Sequence, residues 1–523
     1  MRGLLARLKR TSVAAINNEK AYLAVILGMT CVLTFMQLLV IKNSQEGFGP
    51  AIILWLFFYC YLIINVAYVF TATFYITFTR HTPLPDRFLD EVPPTAMIYF
   101  IRGESCGLYE RMAYTFQCNF LSNVDLWIVS GEAKQKFLDY ETDVLRRLQN
   151  RFGASRVKYL HSDDPGKRKR EMMDLWLSRY SKNYEYFIPC DADSLLPENT
   201  ALKLLRKGQH PKNHDIAVFQ TKIVPANTQT YYSRIQALGA EVLGDKWGKM
   251  EQTILGRVLS FGHNCLVRCR PFAELRIPDN VLSHDIWDTA YLDRMGQRTV
   301  FCVDITTYEE IPANFVEEAR RNARWCFGNL ESARLLREKG ISLSTKFFVF
   351  FGVHRYISEL VLLVWAMAGI WISRLTFWGE AVLFNLALEL VIMGIIFLHR
   401  FTWCRSLKHV QFTFIQVLFS TFVGLNHLFY TSLAVIMFPF KKSQWVPMKK
   451  NPYESTDLAF LVRSLWPSTV FGLLCVWISI RYARYWGILS SPMIISFIFG
   501  IPFVYFTSKL VNGPETAVTE LEI

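Results

Sequence analysis

The chain has 523 residues, 52% of them hydrophobic and only 19% charged, with 41 Phe and 14 Trp, which is the balance of a membrane protein carrying one polar block. Its net charge, 57 Lys and Arg minus 44 Asp and Glu, is +13, yet these cations lie largely beside hydrophobic segments, which argues for anionic lipid headgroups and against nucleic acid. The 11 cysteines stand alone or inside apolar runs, and Cys265 and Cys269 have no second pair to complete a zinc site, so they read as reduced structural thiols.

Arg2, Arg7, Lys9, Arg10 and Lys20 precede an apolar run from Ala21 to Ile41. A bilayer core needs about 20 apolar residues, and no small-residue cleavage site follows, so this run is expected to be a retained anchor. A second span is expected from Ala51 to Phe78, ending at Arg80-His81, with both basic flanks cytoplasmic.

From Pro83 to Ser344 strand-like and helical runs alternate. Strands are expected at Thr95 to Ile101, Asp125 to Val129, Tyr186 to Asp191 and Ile216 to Gln220, with helices at Lys134 to Arg151 and Lys169 to Arg179. Such alternation predicts a mainly parallel sheet covered by helices. The run Tyr186-Phe187-Ile188-Pro189-Cys190 ends in Asp191-Ala192-Asp193-Ser194. Ligands of open α/β sheets collect beyond the carboxyl ends of strands. In an extended segment Asp191 and Asp193 would point the same way and offer hard oxygen ligands to one divalent cation. A D-x-D alone equally fits a solvated turn with Ser194 and Pro197 opening a helix. Downstream come Gly262-His263-Asn264 before a strand, Leu282-Ser283-His284-Asp285, Tyr308-Glu309-Glu310-Ile311-Pro312, and Arg321-Asn322-Ala323-Arg324-Trp325-Cys326-Phe327-Gly328-Asn329-Leu330.

Beyond Ser344, spans are expected at Val353 to Trp371, Ala381 to Leu398, Leu465 to Ile480 and Ile488 to Phe506. The stretch Phe412 to Phe438 has basic residues at both flanks and Gly424-Leu425-Asn426-His427 at its middle, which predicts a broken interfacial or re-entrant helix. The sum is six crossings, with a tail region 1–80, a cytoplasmic domain 81–345 and a membrane region 346–523.

In order and spacing, D-A-D-S, G-H-N, L-S-H-D, Y-E-E-I-P and R-x-x-R-W-C-x-G-N-L resemble an inverting, membrane-embedded family 2 glycosyltransferase. The resemblance is nearest to the glucosyltransferases of osmoregulated periplasmic glucan synthesis and more distant to cellulose synthase. It runs from Thr95 to the tail, where Leu489-Ser490-Ser491-Pro492 and Gly500-Ile501-Pro502 also match. It implies an α/β GT-A-like nucleotide-sugar domain inserted between transmembrane helices. It further implies a metal- and UDP-binding pair at Asp191 and Asp193, with Mg²⁺ or Mn²⁺ as cofactor, and a general base at Asp285. Arg321, Arg324 and Trp325 match the Q-x-x-R-W position that binds the diphosphate and borders the acceptor, with Arg321 replacing Gln. The nucleotide-sugar is expected among Glu104, Glu132, Lys169, Asp191, Arg321 and Arg324, and the acceptor among His263, Asn264, His284 and Trp325.

Two departures stand out. Where relatives carry an aspartate after the second strand this chain reads Ser130-Gly131-Glu132, with Glu132 as the substitute. Where relatives have a basic run followed by a small residue, Gly and Asn, it reads Lys167-Arg168-Lys169-Arg170-Glu171-Met172. The resulting expectation is a processive enzyme of the bacterial inner membrane that polymerises a β-glucan from UDP-glucose at the cytoplasmic face and exports it. Its expected partners are the UDP-sugar donor, the growing glucan, the bilayer and periplasmic proteins that process the glucan. The alternatives are a polyprenyl-phosphate glycosyltransferase and a non-catalytic, nucleotide-sensing membrane transporter.

Overall fold

The computed structural model describes residues 19–42, 50–78, 83–104, 106–162, 168–226, 228–240, 245–278, 281–372, 407–440, 457–482 and 484–510. Two apolar helices come first, α1 (Glu19–Lys42) and α2 (Pro50–Phe78), packed against each other. The α/β domain then runs β1 (Thr95–Ile101), α3 (Leu108–Cys118), β2 (Val124–Ser130), α4 (Gln135–Phe152), β3 (Val157–His161), α5 (Lys169–Tyr180) and β4 (Tyr186–Cys190). It continues through α6 (Thr200–Gly208), β5 (Ile216–Ala226), α7 (Tyr231–Gly239), α8 (Asp245–Leu255), β6 (Cys265–Arg268) and α9 (Cys269–Ala273). Last come α10 (His284–Arg294), β7 (Arg298–Glu310) and α11 (Phe315–Ser332).

The seven strands form one sheet in the order β3-β2-β1-β4-β6-β5-β7. β1, β2, β3 and β4 are mutually parallel, β5 and β7 are parallel, and β6 runs antiparallel to both β4 and β5. All seven residues of β1 are buried. Met97, Tyr99 and Ile101 pack into one core and Ala96, Ile98 and Phe100 into another, because alternate side chains enter opposite helix-covered faces. The expected strands and helices of this domain lie where the sequence pattern places them, and the sheet is mainly parallel. β4, at the centre, ends one residue before Asp191.

After the domain, α12 (Leu343–Ile372), α13 (Leu407–Met437) and α14 (Leu458–Tyr482) are long apolar helices, followed by the short α15 (Arg484–Leu489), α16 (Ser491–Ile498) and α17 (Gly500–Thr507). Among the described residues three stretches are long and apolar enough to cross a membrane, Tyr22–Leu39, Leu343–Gly369 and Leu458–Tyr482, while Leu56–Tyr68 and Phe422–Met437 are shorter. The expected span Ala381 to Leu398 lies outside the described residues.

Two membrane expectations are corrected. α13 is one continuous helix of 31 residues, not a broken one. Gly424 lacks the partner that would make it a break, since a Cβ there would meet nothing within 4 Å. The break falls in the tail instead. Ile488 to Phe506 is not one span but parts of three short helices, interrupted at Ser490 and Phe499, and eight-residue helices rise only about 12 Å. Pro492 starts α16, and Gly500 starts α17 against α13, where a Cβ would lie 2.3 Å from Asn426 Nδ2.

The α/β domain is fastened to these helices. Asn322 of α11 donates to Thr431 of α13 at 2.8 Å, and Phe315 stacks near His427 and Tyr430. Thr230 bridges to Leu510, and the Tyr22 hydroxyl of α1 donates to the Met250 sulfur of α8 at 3.2 Å. α11, which carries Arg321, Arg324 and Trp325, packs against the apolar helices α12 and α13.

Candidate active site

The site is built outward from the end of β4. Asp191, Ala192 and Asp193 form a turn, so the extended geometry expected for the D-x-D is corrected. Ser194 closes the turn. Its N–H donates to Asp191 O at 3.0 Å and its hydroxyl accepts the Asp191 N–H at 2.8 Å, while the buried Tyr99 hydroxyl donates to Ser194 O at 3.0 Å. Leu195 then pairs with Tyr308 through two backbone bonds of 2.9 Å, which fixes the exit of the turn to the end of β7. Ala192 is 4% exposed, whereas both aspartates are half-buried, so a turn leaves both carboxylates at the surface of the cleft. The turn expected as the alternative is present, but the helix after it starts at Thr200 with Asn199 at its N-cap, beyond Ser194 and Pro197.

Asp191 faces two cationic side chains. Lys169, the first residue of α5, donates to Asp191 Oδ1 and to Gly262 O at 2.8 Å. His263 Nδ1 lies 3.8 Å from Asp191 Oδ2, while its Nε2 meets Glu309 Oε2 at 2.8 Å. Burial pushes the His263 imidazole down, but Asp191 and Glu309 prevail and raise it to about 9. Burial likewise pushes Glu309 up, and the His263 bond and charge outweigh it, holding this carboxyl below its ordinary value. His263 thus braces the aspartate turn, with a side chain only 12% exposed. Asn264 is fully buried, has φ 51, and donates to Tyr308 O at 3.2 Å, so it shapes this turn from within.

The Gly262 backbone, at φ 76, is overlaid by α10. A Cβ on it would lie 3.3 Å from Asp285 Cβ and 3.4 Å from His284 Cε1. The G-H-N turn and the L-S-H-D helix start, separate in sequence, therefore form one wall. Burial, followed by the Asp288 charge, raises the Asp285 carboxyl above its ordinary value, against the lowering effects of His284 and Lys169. His284 Nδ1 donates to Asp288 Oδ2 at 2.8 Å.

From α11, Arg324 lies in the combined field of Asp191, Asp285 and Asp193; burial and then Arg321 push its guanidinium below the ordinary value nonetheless. Lys169 shares this position, bonding Asp191 and acting on the charge of Asp285. Arg321 differs: it pairs with Glu318 at 3.1 Å and its guanidinium lies 4.5 Å over the Trp325 ring. Trp325 is 41% exposed, which sets aside a buried core role.

Glu132 and Glu104 lie at the starts of the loops that follow β2 and β1. Glu132 is 5% exposed, and its Oε1 accepts the N–H groups of Ala133 and Lys134 at 2.9 and 2.8 Å, just before α4. Glu104 is half-buried and falls in the field of Arg111.

Residues 186–507, more than half of the chain, match the glycosyl transferase family group 2. The chain belongs to that family. Its domain is GT-A-like and its class of activity is glycosyl transfer. Among its relatives are two proteins described as glucans biosynthesis glucosyltransferase H. That of Bradyrhizobium diazoefficiens is 25% identical over 367 residues, covering 64% of this chain and 48% of that protein. That of Pseudomonas entomophila is 30% identical over 228 residues, covering 41% of this chain and 26% of that protein. The chain spans at most about half the length of the curated relatives it matches. A solved structure, the mannosyltransferase PcManGT from Pyrobaculum calidifontis in complex with GDP-Man and Mn²⁺, aligns with 74% of this chain and all of its own at a TM-score of 0.49 and 13% identity.

Arg111 and Gly107 escaped the sequence reading, and the roles of Glu309 and Glu310 were not assigned there. Arg111 of α3 makes a buried ion pair with Glu310 at 2.6 Å, each side chain 8% exposed, and also lies near Asp193. Gly107 has φ 69, and a Cβ there would be 3.1 Å from the guanidinium carbon of Arg111. Glu309 and Glu310 thus brace the aspartate turn from two sides, one through His263 and one through Arg111. The Y-E-E-I-P motif was the available signal, but its partners are 46 and 199 residues away.

Proposed function

We propose that this glycosyltransferase adds hexosyl units from UDP-glucose to a growing β-glucan at the cytoplasmic face of the membrane and passes the polymer outward. The observation that carries the reading is the meeting of the aspartate turn and the base-bearing start of α10 at Gly262, whose carbonyl shares Lys169 with Asp191 and whose Cα faces Asp285, with Trp325 exposed on α11. Inverting transfer needs one base for the attacking hydroxyl and cationic support for the leaving diphosphate, and no second carboxylic acid.

Asp285 takes the proton of the acceptor hydroxyl as that oxygen bonds to the anomeric carbon. The bond from that carbon to the phosphate oxygen breaks, and its electron pair leaves with UDP. Its raised pKa makes it a stronger base toward the acceptor hydroxyl than an ordinary carboxylate. Arg324 donates to the diphosphate oxygens and offsets their charge. Trp325 offers a face on which the terminal sugar of the acceptor stacks, as aromatic faces suit the apolar side of a pyranose.

Asp191 and Asp193 fit a divalent ion as two hard oxygen donors on one turn. Two carboxylates match what an ion of the Mg²⁺ type takes from protein when substrate phosphates complete its shell. Bound there, Mg²⁺ or Mn²⁺ would neutralise charge on the leaving diphosphate.

The curated relatives' description as glucan glucosyltransferases supports glucose as the sugar and a glucan as the product. The apolar helices fastened to α11 support a membrane-bound acceptor path. The test is to incubate membranes containing the protein with several radiolabelled UDP-sugars and digest any polymer with linkage-specific hydrolases. The reading predicts a β-glucan from UDP-glucose; label transferred only to an extractable polyprenyl phosphate would overturn it.

A further inference from the structure

Behind the base lies a line of buried charge that the transfer mechanism does not use. Arg170 of α5 stands where the family resemblance expects a small residue. It is 6% exposed, pairs with Asp288 of α10, itself 3% exposed, and its second side reaches Asp174 at 2.8 Å. A buried carboxylate is retained only when paired, and here Asp288 has two partners: Arg170 on Oδ1 and His284 on Oδ2. Because an ionised carboxylate accepts and never donates, Nδ1 of His284 must carry the hydrogen of this 2.8 Å bond. In the neutral imidazole Nε2 then carries the lone pair. It has no protein partner among the described residues, and its ring edge lies over Gly262, beside the Asp285 side chain.

We propose that Arg170 and Asp288 are positioning residues that lock His284 in one tautomer, so that its Nε2 accepts a hydrogen bond from the sugar hydroxyl next to the one Asp285 deprotonates. This rests on the proposed transferase reading and adds an acceptor requirement to it: two adjacent free hydroxyls, one for each acceptor atom. The same helix start serves both substrates. Lys169 reaches the donor-side Asp191 and Arg170, the next residue, fixes the acceptor-side histidine. The departure Lys169-Arg170-Glu171 thereby gains a structural account. Arg170 carries the line, and Glu171 accepts the Arg168 N–H at 3.0 Å to open the helix.

The test uses the purified full chain with UDP-glucose as donor and short β-glucan oligosaccharides as acceptors. Losing one hydrogen bond of this kind corresponds to a change of roughly tenfold. His284→Ala should therefore raise the acceptor KM about tenfold and move the donor KM much less. His284→Gln, whose terminal amide oxygen falls near the place of Nε2, should recover most of that loss. Asp288→Asn should raise the acceptor KM in the wild-type background and add little in the His284→Ala background, because Asp288 acts through the imidazole. An unchanged acceptor KM in both His284 variants would overturn the proposal, as would equal changes in donor and acceptor KM, or additive effects in the double variant. Absence of any transfer by the wild-type chain would instead refute the transferase reading on which it rests.

Discussion

Replacing Gly262 by Ala separates the two things this glycine does. The residue has φ 76, so any L side chain there costs about 1–2 kcal/mol of backbone strain. Its Cβ would also press on the first turn of α10, 3.3 Å from Asp285 Cβ and 3.4 Å from His284 Cε1, so that the base must yield by a few tenths of an ångström. A misplacement of about 1 Å at a reacting group costs on the order of 10²-fold, so a shift of this size should lower transfer roughly three- to tenfold. Gly296, just beyond the same helix, provides the comparison: it has the same φ of 76, but a Cβ there meets nothing within 4 Å. Thermal unfolding of the detergent-solubilised protein should show similar losses for Gly262→Ala and Gly296→Ala. Polymer formation at saturating UDP-glucose should fall for the first alone. Equal turnover in the two variants would refute the placement of the G-H-N turn against the base.

Asp285→Asn should lower transfer by about 10²–10⁴-fold. The base works ionised and its pKa is raised, so wild-type turnover should fall with decreasing pH at a value above the ordinary carboxylate range, and a stopped pH profile of the variant should lack that limb. Arg324→Met, removing a charged donor to the diphosphate, should weaken UDP-sugar binding roughly 10- to 100-fold by isothermal titration, in line with about 1.5–3 kcal/mol for such bonds. EDTA should stop synthesis and added Mg²⁺ or Mn²⁺ restore it, with Asp193→Asn raising the ion concentration needed for half activity; full synthesis in chelator would contradict the metal assignment. Trp325→Ala should leave a folded protein that binds UDP-sugar but makes little polymer, because this ring is 41% exposed and its loss opens no core cavity; early melting would argue against the stacking role.

The fold was legible where pattern and punctuation agree. β1 is buried on both faces and reads as a continuous apolar run, and β4 stops at Asp191 as its composition suggests. The motifs that meet in the cleft were each visible as short polar clusters. Their mutual contacts were not, because a charge pair such as Arg111 with Glu310 or Arg170 with Asp288 joins positions 199 and 118 apart and leaves no periodic trace. The D-x-D misled in detail: alternation belongs to strands, and here Ser194 folds the segment into a turn. In the membrane region hydropathy outweighed local chemistry. Gly424 looked like a break and lies within an unbroken helix, whereas Pro492 and the Gly500-Ile501-Pro502 segment stand at the starts of the short tail helices.

The central claim is that this chain joins sugars, with Asp285 taking the acceptor proton, and it is tested most directly by stoichiometry. Purified protein, a divalent ion and UDP-glucose labelled in the sugar should yield one labelled glucose in polymer for each UDP released, and Asp285→Asn should make neither at an appreciable rate. UDP release without label in polymer, or undiminished polymer synthesis by Asp285→Asn, would contradict the account.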